Sequence, residues 1–176
     1  MFFTNWNSFV KNEIHENFNC VVFHTAPLPY GRGGSLIKDL ILEGFDKTPV
    51  CVIKMTRELD AGPIYESSHV SLAGLLKEIF SRLNVAIYDL IVKITENNPS
   101  AISQRGEPHV FTRLTIEDNE IPMGLKLEEF YNRIRMINNE DHPNAFITYD
   151  KIKIEFSSAE IVRDTVEVAC VITRLT

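Results

Sequence analysis

Residues 20–34 read Cys20-Val21-Val22-Phe23-His24-Thr25-Ala26-Pro27-Leu28-Pro29-Tyr30-Gly31-Arg32-Gly33-Gly34. The apolar run Cys20–Phe23 has the character of a short strand, and a histidine stands at its end, before proline- and glycine-rich chain. The same arrangement recurs downstream. Val50–Met55 is a second β-like run, followed by Glu58-Leu59-Asp60-Ala61-Gly62-Pro63-Ile64. A titratable group just past a strand end is where open α/β sheets place their chemistry. His24 and Asp60 therefore form a candidate proton-handling pair. The carboxylate fixes the imidazole tautomer, raises its basicity and leaves the other nitrogen for a substrate.

The rest of the chain arranges itself around this pair. Residues 8–17 read as a short helix with Ser8 as N-cap. Ser35 caps an amphipathic stretch, Leu36–Glu43, in which Leu36, Ile37, Leu40, Ile41 and Leu42 are apolar, and Gly44 ends it. Ile64–Leu72 alternates weakly and reads as a further strand. The strongest helical signal runs from Leu75 to about Glu96, where Leu76, Ile79, Phe80, Leu83, Ile87, Leu90, Ile91 and Ile94 recur at helical spacing. Asn97-Asn98-Pro99 stops it. The order β–α–β–(β)–α is the signature of one α/β layer. Residues 99–125 are polar and irregular. Leu127–Ile137 is a second amphipathic helix with Phe130, Ile134 and Ile137 on one face. Ala145–Tyr149, Lys151–Phe156 and Asp164–Ile172 read as strands, with a hairpin turn at Tyr149-Asp150-Lys151. The chain thus divides into a core at 1–110 and a small helix-plus-strand subdomain at 111–176.

Composition narrows the function classes. A chain of 176 residues, 44% apolar, holds one sizeable domain or one domain with an appendage. The net charge of −6 argues against a nucleic-acid surface unless basic residues cluster. They do not: residues 110–176 carry eight Lys/Arg against twelve Asp/Glu. No apolar run is long enough to span a bilayer, and Met1-Phe2-Phe3-Thr4-Asn5 has neither a cationic segment nor a cleavage pattern. Cys20, Cys51 and Cys170 lie far apart, without metal spacing. They read as free thiols in a reducing compartment, hence a cytoplasmic protein without a membrane partner. His15, His69, His109 and His142 show no ligand spacing, so no metal is expected. Glu117-Asp118 and Glu140-Asp141 read as solvated turns. The chain opens directly on apolar residues, and a sheet of two or three strands is thin. A missing N-terminal half, or a homodimer that covers the uncovered edge, is the expectation.

The two segments resemble the formyltransferases that use 10-formyltetrahydrofolate, a family that includes methionyl-tRNA formyltransferase, glycinamide ribonucleotide formyltransferase and the sugar-nucleotide N-formyltransferases. The family pattern Asn-x-His-x-Ser-Leu-Leu-Pro, three residues and Gly, appears here as Val22-Phe23-His24-Thr25-Ala26-Pro27-Leu28-Pro29-Tyr30-Gly31-Arg32-Gly33, which keeps its His, second Leu, Pro and Gly. The family's Asp-x-Gly is met by Asp60-Ala61-Gly62. Ile134-Arg135 and Pro143-Asn144-Ala145-Phe146 resemble the Ile-Arg and Pro-Gly-Ala-Phe segments of the tRNA and sugar enzymes. The resemblance covers residues 1 to about 150. It implies the C-terminal part of a formyltransferase-like Rossmann-type sheet with flanking helices, followed by a small α+β appendage with antiparallel strands. Two departures stand out. Val22 replaces the family's Asn, and the family's first 70–80 residues or so have no counterpart.

The same resemblance implies a reaction and a site. An amine attacks the formyl carbon of 10-formyltetrahydrofolate, an oxyanion forms, a proton leaves the amine and the folate nitrogen departs, which calls for an oxyanion donor, a base and an orienting group. His24 takes the oxyanion and the proton; Asp60 holds His24 and shuttles the proton. The pterin pocket comes from Asn5, Trp6, Asn7 and Ser8 and from the backbone of Thr56, Arg57, Glu58, Leu59 and Asp60. Trp6 either lines that pocket or packs in the core. Gly31, Gly33 and Gly34 form either an anion-binding turn before the Ser35 helix or a tight turn needing positive φ. Arg32, with Gly33 and Gly34, either meets a substrate phosphate or the folate glutamate, or is a solvated surface residue. A nucleotide-linked amino sugar is the expected acceptor, because a tRNA-binding module should be basic. A methionyl-tRNA acceptor, or a non-catalytic binding domain, is the alternative.

Overall fold

The computed structural model describes residues 1–176 except 5, 7, 9, 138–142 and 176. Its main sheet has the order β1-β2-β4-β5, formed by β1 (Phe2–Phe3), β2 (Val21–His24), β4 (Lys47–Lys54) and β5 (Ile64–Ser71). β1 runs parallel to β2. β2 and β4 are antiparallel, with His24 opposite Cys51 and Val21 opposite Lys54, and β5 is antiparallel to β4. The α/β layer is there, but its strand directions are mixed. A parallel return needs a crossover that packs back along the sheet. Here the stretch between β2 and β4 holds instead a strand paired elsewhere, β3 (Tyr30–Gly33), and a helix of only two turns, α2 (Leu36–Leu42).

The long helix α3 (Leu76–Asn97) covers one face of this sheet. Leu76, Ile79, Leu83, Ile87 and Leu90 fall on its buried side and join Val21, Val50, Val52 and Val70 of the strands in one core. Asn98, at φ 42°, ends the helix in the left-handed conformation that asparagine tolerates. The N-terminal helix α1 (Asn12–Asn17) starts after Lys11 and not at Ser8.

The glycine segment is strand up to Gly33 and turns at Gly34 and Ser35, and Gly31, Gly33 and Gly34 all take positive φ. β3 pairs in parallel with β6 (His109–Phe111), Tyr30 against His109 and Gly33 against Phe111. Sequence periodicity missed β6 because a three-residue strand of mixed character has too few positions to alternate. The divide expected between residues 110 and 111 falls inside this strand.

The C-terminal part is a three-stranded antiparallel sheet, β7 (Ala145–Tyr149), β8 (Ile152–Val162) and β9 (Thr165–Arg174). Asp150, at φ 50°, makes the expected hairpin turn. The helix α4 (Leu127–Arg135) packs on β8, with the Phe130 and Phe156 rings 5.4 Å apart. Buried Arg135 joins this part to the core, donating from Nη1 to the carbonyls of Leu72 and Gly74 at 2.5 and 2.9 Å.

Candidate active site

His24 ends β2, and strand alternation puts it on the same face as Val22. Their partners in β4 are Cys51 and Ile53. Val21, Val50 and Val52 point to the other face, towards α3. His24 therefore sits on the side of the sheet away from the long helix, and is only 5% exposed.

Asp60 reaches it by an unexpected route. Because β4 runs antiparallel to β2, the residues after Lys54 leave the sheet beside Val21, not beside His24. The connection 55–63 folds back over the strand ends to recover that distance. Gly62 passes so close to the Lys54 carbonyl that a β-carbon would overlap its oxygen, and Asp60 adopts φ 50°. The result brings Oδ2 of Asp60 to 3.5 Å from Nδ1 of His24. The same oxygen accepts the Gly33 N–H at 3.0 Å.

Both imidazole nitrogens face protein acceptors. Nε2 lies 2.7 Å from the Gly31 carbonyl oxygen and donates to it. Neutral imidazole would then present its Nδ1 lone pair to the Asp60 carboxylate, and the contact becomes attractive only when a proton lies between them. Burial pushes the His24 pKa below its ordinary value. The Asp60 charge and the Gly31 carbonyl oppose that shift, and the Arg32 charge adds to it.

The glycine strand is shaped by close packing. A β-carbon on Gly34 would overlap that of Phe111, and one on Gly31 would overlap that of Ala26. The backbone N–H groups of Gly33 and Ser35 are taken by Asp60 and by Asp39, the latter at 2.6 Å. Burial raises the pKa of Asp39. Two donors that an anion-binding turn would offer are thus held by the chain's own carboxylates. Arg32 is largely buried, with a side chain 11% exposed. Its Nε and Nη2 donate to Oε1 of Gln104 at 3.3 and 2.9 Å, and its Nη1 to Glu58 at 2.9 Å. It is not a solvated surface residue. Gln104 closes the circuit, its Nε2 donating to the carbonyls of Asp60 and Gly62 at 2.8 and 2.9 Å. No sequence signal marked Gln104, a lone amide in an irregular stretch, or the Gly31 carbonyl.

The residues expected around a pterin are placed less compactly. Asn5 and Asn7 lie outside the described residues, as do Glu140, Asp141 and His142. Trp6 is half exposed and meets the Phe3 ring edge-on at 5.5 Å. Ser8 is exposed, as are Thr56, Arg57, Glu58 and Leu59. Arg57 pairs with Glu16 of α1 at 2.5 Å, tying that helix to the Asp60 loop. A cavity of about 600 Å³ opens elsewhere, between β5 and α3, and includes neither His24 nor Asp60. Cys20 and Cys51 are buried and Cys170 is exposed; burial pushes the Cys51 thiol up to about 11. Among the described residues no cluster of three or more His, Cys, Asp or Glu could hold a metal. None of their helices is long and apolar enough to cross a membrane.

A buried histidine at a sheet end, a carboxylate folded back onto it and a glycine strand beside both come together on an α/β scaffold. A family model for the C-terminal domain of methionyl-tRNA formyltransferase matches residues 116–173. A methionyl-tRNA formyltransferase of Malacoplasma penetrans is 24% identical over 144 residues, covering 78% of this chain and 45% of that protein. The solved methionyl-tRNA formyltransferase from Clostridium thermocellum is 37% identical with a TM-score of 0.91, covering 98% of this chain and 78% of the other. WlaRD, a sugar 3N-formyl transferase solved in the presence of dTDP and 5-N-formyl-THF, shares the fold with a TM-score of 0.62 at 16% identity, covering 88% and 67%. The chain belongs to the formyltransferase family that includes methionyl-tRNA formyltransferase. It spans about half the length of the curated relatives it matches.

Proposed function

We propose that this chain carries the catalytic His–Asp pair of a formyl transfer from 10-formyltetrahydrofolate to an amine. The observation that carries the reading is the 3.5 Å approach of Asp60 to His24, made across a loop that must double back to achieve it. In the reaction the amine nitrogen bonds to the formyl carbon, and the bond from that carbon to the folate nitrogen breaks. His24 exchanges the Gly31 carbonyl for the developing oxyanion and donates to it from Nε2. Asp60 supports the imidazolium and relays the amine proton towards the departing folate nitrogen. Val22 offers no hydrogen-bond donor where the family has Asn, so His24 acts without that second donor. The exposed residues 56–59, with the backbone of Asp60 beside them, suit the alternating donors and acceptors of a pterin edge, with Trp6 and Ser8 as further contacts.

The match over residues 116–173 favours methionyl-tRNA as acceptor. The excess of acidic residues over 110–176 favours a nucleotide-linked amino sugar. Calorimetry with 5-formyltetrahydrofolate tests the donor site, on the chain alone and with a polypeptide supplying the remainder of the relatives' length. Transfer from 10-formyltetrahydrofolate to charged initiator tRNA and to a panel of amino-sugar nucleotides tests the acceptor. Heat and turnover are expected. Absence of both, with the added polypeptide present, ends the enzyme reading and leaves a non-catalytic binding domain.

A further inference from the structure

We propose that Gln104 is the positioning residue that holds Asp60 against His24, with Arg32 fixing the orientation of Gln104. The inference rests on the reading that Asp60 serves His24. It adds a residue from the irregular segment between α3 and β6, to which neither the sequence pattern nor the fold assigned a role.

The loop 55–63 has no helix or strand of its own. Its internal hydrogen bonds are few: Thr56 Oγ1 donates to the Glu58 carbonyl at 3.0 Å, and the Ala61 N–H reaches the same carbonyl at 3.4 Å. Neither fixes Asp60 relative to His24. Gln104 does, because its one NH₂ group donates to the carbonyls on both sides of Ala61, those of Asp60 and Gly62. These two carbonyls bracket the bend at which Asp60 takes its left-handed φ and Gly62 slides under Lys54. A primary amide has two donor hydrogens on one nitrogen, so a single side chain satisfies both acceptors with one anchor.

The amide has only one usable orientation. Its oxygen accepts Nε and Nη2 of Arg32 together, and a flip would set the NH₂ against the guanidinium and the oxygen against two carbonyls. Arg32 is in turn part of β3, the strand that supplies Gly31 to Nε2 of His24 and Gly33 to Oδ2 of Asp60. Gln104 therefore links the strand that holds the imidazole to the loop that holds the carboxylate. Movement of one of those two elements against the other would therefore be carried to the His24–Asp60 contact.

The test reads the contact itself and needs no turnover. The groups facing the His24 ring are Asp60, Arg32 and the Gly31 carbonyl, and its titration is followed by NMR of the imidazole. Asp60→Asn sets the scale: loss of the carboxylate should lower the His24 pKa further. Gln104→Met keeps the volume and removes the donors. It should lower the His24 pKa by about half or more of the Asp60→Asn displacement. A purely structural role would lower stability to urea while leaving the His24 titration in place, and that result overturns the proposal. No displacement in Asp60→Asn would show that the pair is uncoupled, and the dyad reading and the proposal would fall together. Should Gln104→Met not fold, the unmodified protein still decides. The Gln104 side-chain amide should give two separated proton resonances that exchange slowly, whereas exchange at the rate of a surface amide overturns the assignment.

Discussion

Gly62 packs directly under the main chain of Lys54, with no room for a β-carbon between the glycine and the Lys54 carbonyl oxygen. The obstacle is backbone within β4, not the tip of a flexible side chain, so it cannot step aside. Gly62→Ala should cost about 3 kcal/mol, the upper end of the range for overpacking. It should also open the distance between Asp60 and His24. Urea denaturation reads the first effect and the His24 NMR titration the second. A variant as stable as the parent, with an unchanged titration, would show that the loop has room that this packing denies it.

This contact also explains what was legible in the sequence. The motif Asp60-Ala61-Gly62 could be read through its resemblance to the family's Asp-x-Gly, and the structure shows that each end does a job that few residues can do. One supplies a carboxylate that tolerates positive φ, the other lets two backbones touch. The helix α3 was readable from the spacing of Leu76, Ile79, Leu83 and Ile87, since a buried stripe imposes its period. The direction of β4 was not, because antiparallel and parallel strands with these side chains have the same alternation. Nor was Gln104, whose role depends on two carbonyls that become its neighbours only after the loop has folded back. Arg32 read as ambiguous between ligand contact and surface; burial against Gln104 and Glu58 excludes the surface reading and leaves contact with a ligand unassigned.

Stability should depend on pH through His24. Its folded pKa lies below the unfolded value of about 6.5. Between those two values the unfolded chain binds a proton that the folded chain refuses. The contribution of His24 is therefore fully present above pH ~6.5 and is lost as pH falls towards the folded pKa. Urea unfolding at neutral pH and at mildly acid pH should show a fall of at most about 1.4 kcal/mol per pH unit from this one group. His24→Gln should flatten that part of the profile. An equally steep fall in the variant would place the proton uptake on another residue.

Arg135 provides a prediction about how the two parts of the chain are joined. Its Nη1 donates to the carbonyls of Leu72 and Gly74, at the turn between β5 and α3, and its Nε to Asn132 at 2.6 Å. Arg135→Met keeps most of the side-chain volume but leaves two buried or half-buried carbonyls without a donor. The expected loss is about 3 kcal/mol, within the range for hydrogen bonds to a charged group. It should appear as a lower urea midpoint. Amide exchange should quicken at the β5–α3 turn and in α4, while β8 and β9, paired over most of their length, keep their protection. Loss of protection in β8 and β9 first would mean that the C-terminal sheet, and not this joint, is the weaker element.

The catalytic assignment stands or falls on three positions taken together. His24→Ala should lower formyl transfer by at least about a hundredfold while leaving the affinity for 5-formyltetrahydrofolate nearly intact, since the ring is buried between Gly31 and Asp60 and not among the exposed residues 56–59. Asp60→Asn should lose a comparable amount, because the imidazole loses the charge that supports its protonated form. Val22→Asn should act in the opposite sense. Val22 shares the His24 face of β2, is only half-buried and stands where the family carries an asparagine. A donor restored there should raise the rate by roughly one to two powers of ten, somewhat less than the loss seen when an oxyanion donor is removed from an optimised site. Rates for the three variants are compared with the parent at saturating donor, with the polypeptide that completes the relatives' length present. A parent rate retained by His24→Ala would remove the histidine from the chemistry. Unchanged turnover in Val22→Asn would show that the oxyanion is held by the His24 N–H alone, and that position 22 lies outside the reacting centre.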